Sequence, residues 1–152
     1  MKTLKIKTLI LIFLCPFYTY SQQFWSLTNE FWGDPKTGIT LVNDSILFVS
    51  TTNGVLKSTD EGERFEQVLT ATSVFTIFSS RWGKVYAGGL GKVYSSEDFG
   101  LSWDSVSLNS VFPVTQFVEN RTEGIFSITG EWGEGDGVFF SDNRGGKLDG
   151  AQ

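Results

Sequence analysis

With 152 residues, 40% hydrophobic and 19% charged, the chain has the length and composition of one folded domain. It holds no histidine and one cysteine, which excludes histidine general bases, Ser–His–Asp triads, histidine metal sites and a disulfide within the chain. Asp and Glu number 17 against 12 Lys and Arg, a net charge of −5, and this argues against a nucleic-acid backbone as partner.

Residues 1–21, MKTLKIKTLILIFLCPFYTYS, read as a secretory leader. Lys2, Lys5 and Lys7 form its positive start, Leu9 to Leu14 its apolar core, and Thr19 and Ser21 the small residues of a cleavage site before Gln22. The apolar run is too short to span a bilayer and Pro16 interrupts it. A lipoprotein signal ending at Cys15 is the rival reading, but Leu14 stands where such a signal needs a small residue. The leader carries three lysines and no acid, so the exported remainder, 22–152, is more acidic still. The absence of cysteine from that remainder fits a bacterial protein, of Gram-negative type, that is periplasmic, cell-surface or secreted.

The remainder repeats. Three segments align: VLKSTDEGERF (55–65), VYSSEDFGLSW (93–103) and VFFSDNRGGKL (138–148). Each carries Ser-x-[Asp/Asn]-x-Gly, followed three residues after the glycine by Phe65, Trp103 or Leu148. Upstream of each lie two short runs rich in Val, Ile and Phe, with Ile39 and Leu47, Ile77 and Val85, Phe117 and Ile125 all eight positions apart. Separated by NDS, RWG or TEG, such runs are strands joined by tight hairpins, and no segment carries a helical period.

The expected fold is therefore all-β, in units of four antiparallel strands, A to D, each about 40 residues long, the size of a β-propeller blade. Blade 1 covers 39–69, blade 2 covers 74–108, and blade 3 covers 114–148 without its D strand. Trp25 precedes Ile39 by 14 residues, as Trp103 precedes Phe117, so 24–28 reads as a D strand without strands A to C of its own. Three blades fall short of the usual ring of about 4–8. The expectation is that the remaining blades belong to a longer chain; a closed three-blade ring and a ring assembled from several chains are the alternatives.

The repeated motif resembles the Asp-box, or BNR, repeat, S-x-D-x-G-x-x-W. Ser96, Asp98, Gly100 and Trp103 match it fully. Ser58, Asp60 and Gly62 match with Phe65 in place of Trp, and Ser141, Asn143 and Gly145 form a degenerate copy. The resemblance covers 24–148 and implies a propeller of the sialidase-like, sortilin-like and photosystem-assembly-factor-like group. In that group the Asp box is a structural feature of the C–D hairpin, and ligands sit at the opposite end, on the D–A and B–C loops.

Those loops carry the candidate binding residues. Phe48 and Val55 are seven positions apart, as are Tyr86 and Val93, whereas Phe126 and Val138 are twelve apart. The five extra residues fall in GEWGEGDG (130–137), which sets Trp132 among Glu131, Glu134 and Asp136 in what reads as a glycine-rich loop for stacking on a sugar or accepting a cation. The segment 28–38 adds Trp32 and Asp34. A sialidase-like site would need an arginine cluster on this face, yet Arg64, Arg81, Arg121 and Arg144 all lie in turns at the other end.

No catalytic residue, cofactor or metal ligand is assigned. The reading is a non-catalytic exported module that binds protein or glycan, with no membrane span within the chain. The alternatives are the N-terminal part of a glycoside hydrolase whose catalytic residues lie in further blades, and the ectodomain of a membrane sensor.

Overall fold

The computed structural model describes residues 33–146; the leader, the segment 24–28, Trp32 and Leu148 lie outside the described residues. Among the described residues, eleven strands follow one another in three sheets. The first contains β1 (Lys36–Val42), β2 (Ile46–Thr51), β3 (Gly54–Ser58) and β4 (Glu66–Thr70). The second contains β5 (Thr76–Ser79), β6 (Val85–Gly88), β7 (Lys92–Ser96) and β8 (Asp104–Ser107). The third contains β9 (Val114–Glu119), β10 (Ile125–Glu131) and β11 (Glu134–Ser141). Every pairing is antiparallel between neighbours in sequence, as short hairpin connections require.

The sheets share one register. Leu47 lies opposite Ser58, Val85 opposite Ser96, and Ile125 opposite Ser141. Phe48, Tyr86 and Phe126 therefore hold one structural position, and Ile39, Ile77 and Phe117 another. In β10 alternate residues are buried (Ile125, Ser127, Thr129), whereas all of β6 (VYAG) is buried because a sheet lies against each of its faces.

The first strands of the sheets pack side by side, β1 on β5 and β5 on β9. Thr40 Oγ1 and Ser79 Oγ share a hydrogen bond of 2.8 Å across the first seam, and Thr37 donates to the Val74 carbonyl at 3.0 Å. Apolar contact holds each seam. Phe48, Val55, Val74, Ile77 and Val85 form the first, with Trp103 packed against them. Tyr86, Val93, Val114, Phe117 and Ile125 form the second, where Phe117 lies 5.9 Å from Tyr86 and 6.3 Å from Phe78, centroid to centroid. Ile77 and Phe117 are buried, but Ile39, their counterpart in the first sheet, is 66% exposed. The described sheets thus form an arc with an open face at each end.

Candidate functional site

Three turns of one design follow the third strand of each sheet. Ser58 Oγ donates to Asp60 Oδ1 at 2.9 Å and accepts the Gly62 N–H at 2.9 Å, and Asp60 Oδ1 accepts the Arg64 N–H. Ser96, Asp98 and Gly100 repeat the pattern at 2.8 Å, with Asp98 also accepting the Ser102 N–H at 2.9 Å and the Ser102 hydroxyl at 2.5 Å. Ser141, Asn143 and Gly145 make the first two bonds at 2.6 and 2.7 Å. Two successive residues take positive φ in each turn, ending at Gly62, Gly100 or Gly145. Glycine meets that demand without steric cost.

These carboxylates are held as acceptors. The Ser102 hydroxyl, then the Ser102 N–H and the Ser96 hydroxyl, bring the Asp98 carboxyl down to about 2. The Arg64 N–H and the Ser58 hydroxyl lower that of Asp60. Side chains committed to their own turn in this way are not placed for chemistry on a ligand.

The turns also join the sheets. A Cβ at Gly100 would lie 3.0 Å from Phe48 Cε1, and one at Gly145 would lie 2.9 Å from Tyr86 Cε1. Gly100 and Gly145 thus each sit on a ring of the preceding sheet. The Tyr86 hydroxyl donates to the Arg144 carbonyl at 2.8 Å, and burial, then the charges of Glu119 and Glu97, push the Tyr86 phenol up. Beside this contact, Arg81 and Arg144 stack over Trp82 at 4.8 and 5.7 Å and pair with Glu119 and Glu123 respectively. Sequence reasoning does not find this bridge. Its partners come from three separate turns, and no local spacing marks them.

The opposite end of the sheets holds the candidate residues. The five extra residues of the third unit lengthen β10 and β11 rather than forming a loop, which corrects the expectation of a glycine-rich loop there. Glu131 pairs with Glu134 across a two-residue turn, Trp132-Gly133, with φ of 55° and 90°. The register shifts between Thr129 and Glu131, and Gly130 and Gly135 let the strands close: a Cβ at Gly130 would lie 2.8 Å from the Glu134 carbonyl oxygen, and one at Gly135 would collide with the Thr129 carbonyl.

Trp132 is 94% exposed, and its indole N–H donates to Glu131 Oε1 at 2.9 Å. Glu134 and Asp136 alternate along β11, both exposed, with no basic residue between Ile125 and Asn143. The tip is thus an exposed indole bonded to one carboxylate, with two more carried by β11. Asp34 lies at the same end of the first sheet, where the adjacent Pro35 carbonyl accepts the Thr52 N–H. The first and third sheets stand at opposite ends of the arc, so Asp34 and Trp132 are not brought together.

A cavity of about 280 Å³ lies between the second and third sheets, walled in part by Tyr86, Val93, Val106 and Gly145. Three of these correspond to Phe48, Val55 and Val68 of the first seam, where Trp103 packs against the same cluster. It is packing space of the repeat. Among the described residues no group of three or more His, Cys, Asp or Glu could hold a metal ion, and no helix is long and apolar enough to cross a membrane.

No family model matches the chain, and no curated protein matches it. Solved structures do. The chain is similar to the extracellular domain of a protein assigned to a one-component system in B. thetaiotaomicron, at 18% identity and a TM-score of 0.50, over 62% of this chain and 13% of that one. It is also similar to streptogramin B lyase, at 17% identity and a TM-score of 0.52, over 70% of this chain and 40% of that one. The sheets are propeller blades. The chain spans well under half the length of the first of these structures and less than half of the second.

Proposed function

We propose that the chain is a non-catalytic, exported propeller module that binds glycan or protein at the cell surface or in the periplasm, with the blade-3 hairpin tip as its contact point. The observation that carries this reading is Trp132. A left-handed backbone costs an L-residue with a bulky side chain about 1–2 kcal/mol, and a two-residue hairpin turn of this kind favours Asn-Gly or Asp-Gly. Trp132 takes that conformation while 94% exposed, so it gains almost no packing in return. Strain without structural reward is expected where a side chain serves recognition. The nearby carboxylates suit hydroxyl-rich or cationic ligands, and Asp34 lies at the same end of the sheets; Trp32, the other candidate of that segment, lies outside the described residues.

The resemblance of the three turns to the Asp box supports this assignment of faces, and the three blades then form part of a larger ring. A glycan array probed with the wild-type chain and with Trp132→Ala tests the reading, with Trp132→Asn as the folding control. Glycan binding by the wild type should be lost in both variants, while Trp132→Asn raises stability by about 1 kcal/mol through relief of the turn. Equal glycan binding by all three proteins would refute the contact point. The sensor-ectodomain reading is favoured by one observation, the similarity to an extracellular domain of a one-component system.

A further inference from the structure

The bridge around Trp82 borders a cleft of about 200 Å³ between the second and third sheets, at the end opposite Trp132. Ser80, Trp82, Lys84, Tyr86, Glu97 and Arg144 line it. The Lys84 side chain is only 11% exposed, and its ammonium lies 5.6 Å from the centre of the Tyr86 ring. A charge so far withdrawn from water needs a counter-charge. Glu97 supplies one at 3.0 Å, yet its own side chain is 76% exposed, and a carboxylate so open to water is weakly held. The Lys84 hydrogen bond, then the Lys84 charge and to a lesser degree that of Arg144, lower the Glu97 carboxyl. The spot beside Lys84 is thus fitted to a carboxylate.

The repeat does not call for these charges. By register, Lys84 stands where the other sheets have Ile46 and Gly124, and Glu97 where they have Thr59 and Asp142. Neither the hairpins nor the seams use the pair elsewhere. The remaining walls are those of a ligand cleft, mostly aromatic with a few convergent polar groups. Trp82 is partly exposed, and the Arg144 side chain, half exposed beside it, pairs with Glu123 through Nε and Nη2. On the other side of Trp82, Arg81 is fixed by Glu119 and by the Asn120 carbonyl, so the indole is held in place before any ligand arrives.

We propose that this cleft binds a carboxylated sugar, whose carboxylate takes the place of Glu97 beside Lys84 and Arg144 while its ring lies against Trp82. Glu97 is then a resident competitor that keeps the Lys84 ammonium paired until the ligand displaces it. The ligand brings the negative charge that the cleft already accommodates, and Glu97 moves into water at little cost because it is mostly there already. This site lies at the end of the sheets away from the blade-3 hairpin and is independent of what Trp132 binds.

Titration calorimetry of the full chain with tetragalacturonate and with its methyl ester tests it, since the two probes share their rings and differ in charge. The acid should bind and the ester should not. Lys84→Met keeps an apolar stem against Tyr86 and should weaken binding of the acid by about tenfold or more, through loss of a charge-assisted hydrogen bond. Glu97→Gln removes the competitor and should tighten binding several-fold, an effect that a purely structural ion pair would not produce. Its side chain is exposed, so this variant decides the matter if Lys84→Met fails to fold. Trp132→Ala should leave binding of the acid unchanged. Binding of neither probe, equal binding of acid and ester, full affinity in Lys84→Met, unchanged or weaker binding in Glu97→Gln, or loss of binding in Trp132→Ala would each overturn the proposal.

Discussion

Asp98 performs at the scale of one residue what the turn motif requires. Its carboxylate takes two bonds from Ser102 and one from Ser96, and these favour the ionised form. Its carboxyl is thus lowered in the folded chain from 3.8 to about 2, so it stabilises the fold fully above its unfolded value and progressively less as the pH falls from about 4 towards 2. Asp60 shifts in the same direction. Thermal melts at about pH 5 and pH 2.5 on wild type and Asp98→Asn check this: the wild type should lose more of its midpoint on acidification, and the gap between the proteins should narrow. Parallel losses would show that the carboxylate is not what the turn uses. The residue types of this turn were legible in the sequence, since Ser, Asp and Gly at fixed offsets can satisfy one another locally. The strain at Trp132 was not, because φ depends on the pairing of Glu131 with Glu134, and that pairing depends on a register shift at Thr129.

At the scale of elements, the hairpins were readable and their lengths were not. Eight-residue spacing between apolar runs defined the first two strands of each unit, and the structure pairs them as antiparallel neighbours. GEWGEGDG looks like a loop by composition, yet its glycines allow backbones to approach closely enough to extend β10 and β11. The turn glycine has a second duty that only the packed structure reveals, since Gly100 has φ of 86° and lies against the Phe48 ring. Gly100→Ala therefore combines a left-handed penalty with a tight contact at 3.0 Å, and should destabilise the chain by about 1–3 kcal/mol in chemical denaturation. A neutral result would mean that the turn moves freely relative to the first sheet.

Over the whole molecule, stability arises between sheets, as in other repeat architectures where each unit contacts its neighbours alone. The second seam depends on Phe117, which is buried against Tyr86 and Phe78. Phe117→Ala should cost about 3–5 kcal/mol, measured by urea denaturation. A cost below about 1 kcal/mol would indicate that the sheets stand without mutual support. The same coupling accounts for Ile39 and Val118, apolar residues at seam positions that no seam among the described residues covers.

The repeat, the all-β class and the identity of the turn residues follow from sequence alone, because a strand's side-chain period and a turn's local hydrogen bonds are set within a few residues. The Trp82 bridge, the seating of Gly145 on Tyr86 and the strained, exposed Trp132 were decided by the tertiary structure. These features join residues from separate turns, or depend on how two strands align, and such relations exist only once the sheets have formed and packed.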